Sequence, residues 1–279
     1  MRGRPPAAPH LSQENPLRFI NRLAARGLIV AAALLATPIF ADEIRVMSSG
    51  GFYSAMEALV PLFENQTGHR IVLISGSSMG SSPTAIPARL QNGEDADLLM
   101  MAAPELDKLI EQGYAVPGSR VDLVHSKIGM VVRAGTPKPD IATAEAFAKT
   151  LHAAASIGYS ASASGVHLAK NVLPLLGEDV VAKSREIVKD RVATWVARGD
   201  VEIGFQQVSE LLPIPGVDFV GEIPPPFQKV TVFSVGQARN AHSITAARTL
   251  IRFLTSPEVY PVIEAQGLQP AALTEGKAH

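Results

Sequence analysis

The sequence predicts an α/β fold of two lobes, in which each lobe is a mainly parallel β-sheet flanked by helices. One observation is that short strand-like runs alternate with helical runs along most of the chain, which is the pattern of βαβ units. A second is that this alternation of strands and helices is interrupted near 121–128 and again near 224–235. Such breaks are expected where a chain leaves one lobe, builds another and returns. We therefore expect residues 42–122 and 238–279 to form lobe 1, and residues 123–237 to form lobe 2.

Each element is predicted from the spacing of its apolar residues and from the turn residues around it. In the first helix, Met56, Leu59 and Phe63 recur on one face, and Gly68 is a typical helix end. The predicted strands are 43–47, 70–74, 97–101, 128–133, 156–159, 202–205, 217–220 and 230–235. The predicted helices are 52–66, 84–91, 103–112, 143–153, 166–176, 191–197, 242–255 and 257–266.

The first 41 residues have the pattern of a secretory signal peptide. Arg18, Arg22 and Arg26 precede the apolar run 27–36, and the small residue Ala41 is a suitable cleavage point. The apolar run is too short to span a bilayer comfortably, although an N-terminal anchor is the alternative. We expect cleavage near Ala41, a periplasmic protein, and no membrane insertion after the signal is removed.

Composition excludes several classes of function. The chain has a formal net charge of −1 and no cysteine, and removal of residues 1–41 would leave a charge of −5. An acidic chain without basic blocks is not expected to bind nucleic acid, and disulfide or thiolate chemistry is excluded. The seven histidines show no metal-ligand spacing. We therefore expect a monomer without metal or cofactor.

Three Ser/Gly-rich segments, 48–51, 75–82 and 160–165, each lie between a strand-like run and a helical run. The start of a helix has unpaired N–H groups and a positive dipole end, and small residues let an anion approach them. Each segment alone is also compatible with ordinary helix capping by serine. Their repetition predicts one cleft that holds a small anion between the lobes.

The residues expected to bind this anion come from both lobes. From lobe 1 they are Ser49, Gly50, Gly51, Ser77 and Ser78. From lobe 2 they are Tyr159, Ser162, Ser164, Gly165, Arg191, Gln206 and Gln207.

The order of these segments resembles the periplasmic molybdate-binding proteins of ABC transporters. The resemblance rests on Ser-Ser-Gly-Gly-Phe at 48–52, Gly-Ser-Ser at 76–78, Asn-Gly-Glu-Asp-Ala-Asp-Leu-Leu at 92–99 and Gly-Asp-Val-Glu-Ile-Gly at 199–204. It implies the type II periplasmic binding-protein fold, whose two lobes close on the ligand by a hinge motion. It also implies an oxyanion held by helix N-termini and hydroxyls, and an ABC permease as partner.

Some positions depart from that family. Gly51 stands where the molybdate binders have a serine, and Phe205 is followed by Gln206 and Gln207 where they have a tyrosine. Arg191 adds a guanidinium, which suits a carboxylate. The run Gly-Phe-Gln-Gln-Val-Ser-Glu-Leu-Leu at 204–212 also resembles a branch that includes bacterial aconitate isomerase. That resemblance implies interconversion of trans- and cis-aconitate by an allylic proton shift.

Two functions therefore stay open. The first is a periplasmic solute-binding protein that captures an oxyanion or organic polycarboxylate for an ABC permease. The alternative is an aconitate isomerase-like enzyme that uses the same anion site, with His167, Tyr159 or Lys189 as its base. Glu210 is expected in solvent or at the hinge, because an acid facing an anion is unfavourable unless it is protonated or catalytic. A carboxylate in the cleft is the alternative. The sequence leaves open whether the protein is an enzyme.

Overall fold

The computed structural model describes Gly3 and residues 41–80, 82–188 and 190–272. The strands are β1 Glu43–Ser48, β2 Arg70–Ser75, β3 Leu98–Ala102, β4 Val121–Ser126, β5 Ile128–Arg133, β6 Ile157–Ser160, β7 Ser184–Ile187, β8 Ile203–Gln207, β9 Val217–Glu222, β10 Thr231–Gln237 and β11 Leu268–Pro270. The helices are α1 Gly50–Thr67, α2 Ile86–Gln91, α3 Ala103–Glu111, α4 Ala144–Ala153, α5 Ala163–His167, α6 Leu173–Leu176, α7 Glu178–Ala182, α8 Val192–Arg198, α9 Val208–Leu211, α10 Ile244–Leu254 and α11 Tyr260–Ala265.

The first sheet has the strand order β11-β4-β10-β3-β1-β2. Strand β1 pairs in parallel with β2 and β3, whereas β10 runs antiparallel to both β3 and β4. Helix α1 covers one face of this sheet because Phe52, Met56, Leu59 and Phe63 form the apolar stripe that the sequence predicts. The stripe packs with Phe253 of α10 in the core of this lobe.

The second sheet has the order β7-β6-β8-β5-β9. Strand β6 is parallel to β7 and β8, and β5 is antiparallel to β8 and β9. Its core has the edge-to-face pair Phe147 and Phe205, whose ring centroids lie 5.8 Å apart. The α/β organisation with two sheets is as predicted, and parallel pairing in both sheets is confined to the strands nearest the Ser/Gly segments.

The chain crosses between the sheets at two adjacent places, at Lys127 and between Glu222 and Thr231. There the Gln228 side chain accepts a hydrogen bond from Ile128 N at 2.9 Å and donates to Ile128 O at 3.0 Å. The predicted lobe boundaries at 122/123 and 237/238 stay a prediction. Since β4 and β10 are hydrogen-bonded in the first sheet, a division drawn from the sheets falls at these crossings instead.

Several elements differ from the predicted ones. Strands β4, β7 and β11 and helices α7 and α9 were not predicted, because they are short or have mixed polarity. Helix α2 begins at Ile86, after the loop that carries Ser77 and Ser78. The predicted helix 166–176 begins earlier, at α5, and contains a π-helical turn at Leu168–Val172. None of the helices among the described residues is both long and apolar enough to cross a membrane. The predicted signal peptide lies outside the described residues apart from Gly3 and Ala41.

Candidate anion-binding site

The three Ser/Gly segments meet at one cavity between the two sheets. The cavity measures ≈ 20 Å³, and its walls come from the carboxyl ends of β1 and β2 in the first sheet and of β6 and β8 in the second. Its lining residues are Ser49, Gly50, Gly51, Ser77, Ser78, Ser162, Ala163, Gln207, Glu210 and Phe233. A larger and more open groove of ≈ 700 Å³ lies elsewhere, around Lys127 and Pro224. We assign the site to the smaller cavity because it concentrates polar donors.

Helix α1 begins at the cavity with an unpartnered hydroxyl. Ser49 occupies its N-cap position, 2% exposed, yet its side chain caps no helix N–H group and its Oγ has no hydrogen-bond partner among the described residues. The backbone places Ser49 here by donating its N–H to Met100 O at 2.8 Å. A buried hydroxyl without a partner is uncommon, and this one sits beside the positive end of an 18-residue helix. The capping interpretation therefore does not apply to Ser49.

The two glycines that follow are required by close packing. A β-carbon built on Gly50 would overlap Glu210 Oε1, and one built on Gly51 would overlap the Phe233 ring. The N–H groups of such first-turn residues have no acceptor within the helix. Gly50 and Gly51 therefore let the Glu210 carboxyl group and the Phe233 ring pack directly against the start of α1.

Ser77 and Ser78 line the cavity but differ in what they can donate. Ser77 Oγ donates to Met79 O at 2.7 Å, so its proton is already used. Ser78 Oγ accepts from Ala102 N at 3.0 Å, and its own proton has no acceptor among the described residues. Neither residue lies at a helix start, because α2 begins at Ile86. Ser78 is therefore the donor that this loop offers, and Ser77 is an acceptor or a structural residue.

The second-sheet wall carries a bonded cluster of hydroxyls. Ser160 Oγ lies 2.7 Å from Ser162 Oγ and 3.1 Å from Ser164 Oγ. Only Ser162 of the three lines the cavity. Gly165 is explained by packing, because a β-carbon there would overlap Ser160 O. The structure thus places Ser162 in the site and puts Ser164 and Gly165 behind it.

Glu210 is a residue of the candidate site that sequence reasoning considered for the cleft but did not include. It was expected in solvent or at the hinge, but it lines the cavity at 9% exposure. Burial raises its pKa to about 7, against the opposing effects of the Arg191 charge and of a hydrogen bond from Gln206. A signal did exist in the run Gln206-Gln207-Val208-Ser209-Glu210, where Glu210 stands four positions after a buried amide. What sequence alone did not reveal was the four-residue helix α9 that turns Glu210 inward.

Gln206 and Arg191 contact the site through Glu210. Gln206 is 5% exposed, and its Nε2 donates to Glu210 Oε1 at 2.8 Å. Arg191 precedes α8, and its positive charge acts on the Glu210 carboxyl group. Neither residue is among those that line the cavity, so both lie one contact further out than predicted.

Gln207 lines the cavity, but its amide is used in the structure of the hinge. Its Oε1 accepts from Ser126 Oγ at 2.9 Å, and its Nε2 donates to Thr231 Oγ1 at 3.1 Å. Ser126 is the last residue of β4 and Thr231 the first of β10, both in the first sheet, whereas Gln207 is the last residue of β8 in the second. This amide therefore joins the two sheets.

Of the three residues named as a possible base, Tyr159 and His167 do not line the cavity. Tyr159 packs against the core of the second lobe, and burial together with the Glu186 charge raises its pKa. His167 Nε2 lies 2.9 Å from Phe227 O. Lys189 lies outside the described residues. Within the described ranges, no group of three His, Asp or Glu side chains is placed to hold a metal ion.

Comparison with known proteins identifies the family. The profile of bacterial extracellular solute-binding proteins matches residues 44–269. The chain is 42% identical over 250 residues to the aconitate isomerase of a Pseudomonas species, which covers 87% of this chain and 95% of that protein. It is 27% identical over 254 residues to the molybdate-binding protein ModA of Azotobacter vinelandii, covering 86% of this chain and 96% of that one.

A solved structure agrees with this assignment. The periplasmic molybdate-binding protein of Azotobacter vinelandii superposes with a TM-score of 0.64 at 22% identity, over 81% of this chain and 98% of that chain. At this identity the likeness shows the two-lobe fold alone. Together with the profile match, it shows that the chain belongs to the family of bacterial extracellular solute-binding proteins.

Proposed function

We propose that this protein binds a tricarboxylate anion in the cavity at the start of α1 and isomerises it, interconverting trans- and cis-aconitate. The observation that carries the proposal is Ser49, whose buried and unpartnered Oγ faces the cavity beside the N-terminus of α1. An anion placed there supplies the acceptor that this hydroxyl lacks. The 42% identity to an aconitate isomerase supports the choice of ligand and reaction.

The donors around the cavity are sufficient to hold an anion without a metal. A hydrogen bond to a charged group contributes about 1.5–3 kcal/mol, and a helix N-terminus adds roughly 0.3–2 kcal/mol. Ser49, Ser78 and the first N–H groups of α1 together reach the order of 8 kcal/mol that micromolar affinity requires. Arg191 lies close enough to act on Glu210, and its guanidinium would suit a further carboxylate of the ligand.

The ligand can enter only when the two lobes separate. A cavity of ≈ 20 Å³ has room for about one water molecule, whereas a six-carbon tricarboxylate is several times larger. The adjacent crossings at Lys127 and at 223–230 are suited to a hinge motion. Gln207 and Gln228 form hydrogen bonds at these crossings. Those bonds would limit the motion to a rotation of the two lobes about the crossings.

Glu210 favours an enzyme over a simple carrier. A carboxyl group beside a bound anion opposes binding when it is ionised, so a protein that only captures anions gains nothing from it. An isomerase, in contrast, needs a group that accepts a proton and returns it. The second candidate function is capture of a small anion for an ABC permease in the periplasm, which the family membership and the molybdate-binding relative favour.

Turnover of aconitate separates the two functions. Purified full chain is incubated with trans-aconitate, and cis-aconitate is followed by chromatography. The same preparation is tested for thermal stabilisation by molybdate, tungstate, sulfate, citrate and aconitate. We expect formation of cis-aconitate and stabilisation by the tricarboxylates. Stabilisation by molybdate without any turnover would replace the isomerase by the carrier, and no response to any of these anions would contradict both functions.

A further inference from the structure

We infer that Glu210 is the catalytic residue that carries the proton between the two reacting carbons, and that Gln206 is its positioning residue. This inference rests on the proposed isomerase function and adds to it the group that performs the chemistry. It is based on where the Glu210 carboxyl group lies, on how it is held, and on the charges that face it.

The carboxyl group lies next to the place where the anion would bind. Glu210 Oε1 occupies the space that a side chain on Gly50 would need, at the first residue of α1. Glu210 also lines the same cavity as Ser49. A ligand carboxylate held by Ser49 and the start of α1 would therefore bring its neighbouring carbon atoms toward Glu210.

Helix α9 fixes Glu210 relative to this binding wall. Ser209 Oγ donates to Gly51 O at 2.7 Å, and Ser54 Oγ donates to Ser209 O at 3.2 Å. Both bonds join α9 directly to α1, although α9 follows a strand of the second sheet. The base and the anion donors are thus held by one pair of packed helices, which favours a constant distance between them.

Gln206 sets the direction of the carboxyl group. Val192 N donates to Gln206 Oε1 at 3.1 Å, and a backbone N–H can only donate. The amide is therefore oriented with Nε2 toward Glu210, to which it donates at 2.8 Å. This bond holds Oε1, while Oε2 accepts no hydrogen bond from any of the described residues. One carboxyl oxygen is anchored and the other is available to a substrate proton.

The charges around Glu210 leave it able to exchange a proton near neutral pH. From the segment before α8 it faces Arg191, from β8 it faces the neutral amide of Gln206, and from α1 it faces the positive helix end. Burial opposes these favourable partners and leaves a pKa of about 7. A general base is most effective when its pKa is near the working pH.

The step needs no second reactant. Ionised Glu210 removes a proton from the methylene carbon of trans-aconitate, which breaks that C–H bond. The electron pair forms a new double bond to the central carbon, and the charge spreads through the old double bond onto the carboxylate at its far end. Ser49 and the start of α1 would stabilise that charge. Protonated Glu210 then returns the proton to the former vinylic carbon, so that atoms and charge balance.

The test compares Glu210→Gln with the wild-type full chain. A glutamine keeps the shape of the side chain and can still accept from Gln206, but it takes up no proton. We expect turnover of trans-aconitate to fall at least 1000-fold, while citrate binding stays within about threefold or becomes tighter. Glu258→Gln, at an exposed position on the 3₁₀ turn Pro257–Val259, is the matched control and should retain full turnover.

A second variant tests the role of Gln206. Gln206→Glu keeps the acceptor for Val192 N and places a second carboxyl group against Glu210. Like charges raise the pKa of such a pair, so the low-pH limb of the kcat/KM profile should move to higher pH. A limb that does not move would show that residue 206 does not contact the Glu210 carboxyl group, and would overturn its positioning role.

The outcomes separate this inference from the proposed function. Wild-type protein without turnover would contradict the isomerase itself. Wild-type turnover together with a Glu210→Gln variant that retains more than a tenth of it would overturn the role of Glu210 alone. If Glu210→Gln does not fold, the wild-type profile decides. A kcat/KM that falls tenfold per pH unit below about pH 7 supports the role of Glu210, and a flat profile overturns it.

Discussion

The two walls of the cavity use similar residues in different ways. On the first-sheet wall, the hydroxyl of Ser49 has no partner, and the start of α1 presents N–H groups and a positive dipole end. On the second-sheet wall, Ser160, Ser162 and Ser164 bond to one another, and Gln206 bonds to Glu210. The first wall has donors ready for an anion. On the second wall the serine hydroxyls bond to one another, and the titratable acid has one oxygen, Oε2, that accepts no hydrogen bond from the described residues. The number of serines in a wall does not show whether that wall binds a ligand. What shows it is whether each serine hydroxyl already has a hydrogen-bond partner in the protein.

After Glu210→Gln, the next largest effect is expected at the point where the walls touch. Gly50→Ala places a methyl group where Glu210 Oε1 now lies, so the carboxyl group must move or the walls must part. We expect turnover of trans-aconitate to fall by about 100-fold or more, since displacement of a catalytic group by 1 Å has effects of that order. Gly221→Ala, whose new β-carbon would make only ordinary contacts with Ile141, is the matched control. Equal turnover in the two variants would show that the contact between the walls is unimportant.

The acidic wall should make stability depend on pH. The pKa of Glu210 is raised from its ordinary 4.5 to about 7 in the folded protein, so the folded state binds more protons than the unfolded state between these values. Its contribution is fully present below pH 4.5 and is lost as pH rises through 7, by ~3 kcal/mol. Denaturant unfolding from pH 5 to 8 should show this loss in wild type and a smaller one in Glu210→Gln. If the free energy of unfolding changed equally with pH in the two proteins, the raised pKa of Glu210 would be contradicted.

Substitution of one serine on each wall should separate binding from stability. Ser49→Ala removes a donor without a protein partner, so we expect citrate affinity to fall roughly 10- to 100-fold with stability unchanged. Ser164→Ala removes a fully buried hydroxyl that bonds Ser160, so it should cost about 1–2 kcal/mol of stability with affinity unchanged. Calorimetric titration and denaturant unfolding of both variants provide the comparison. If Ser49→Ala lowered stability and Ser164→Ala lowered affinity, the second-sheet wall and not the first would be the one that binds the anion.

The smallest effect is expected at Tyr159. Its ring packs on the core of the second lobe and does not line the cavity, in contrast to the prediction from sequence. Tyr159→Phe keeps that packing and should change citrate affinity and aconitate turnover by less than about twofold. A loss of tenfold or more in either measurement would show that Tyr159 belongs to the site.

Sequence reasoning predicted the fold well because the apolar spacing of long elements is a strong signal. The stripe of α1 and the buried strand β5 are at or within two residues of their predicted bounds. It failed at β4 and at α9, where the elements are short and their pairing depends on distant strands. The predicted mainly parallel sheets are mixed, because β10 runs antiparallel to β3 and β4 in the first sheet and β5 runs antiparallel to β8 and β9 in the second.

The candidate site was predicted in part for a related reason. Serine and glycine after a strand indicate a loop near the strand ends, which was sufficient to find Ser49, Ser78 and Ser162. Sequence does not show which hydroxyl is already bonded, so Ser77 and Ser164 were not distinguished from them. Glu210 was left out of the predicted site because an ionised acid repels an anion, and sequence does not show the burial that raises its pKa.

Proton uptake on citrate binding is the most direct measurement of the central claim, that an anion binds at the start of α1 beside Glu210. Citrate has no double bond to shift, and calorimetry at pH 7.5 in buffers of different ionisation enthalpy counts the protons that accompany binding. A bound anion raises the pKa of the neighbouring carboxyl group, which is about one quarter protonated at pH 7.5 when its pKa is about 7. Wild type should therefore take up ~0.5–0.8 proton more per citrate than Glu210→Gln. Equal uptake by the two proteins, or no citrate binding by wild type, would contradict the account.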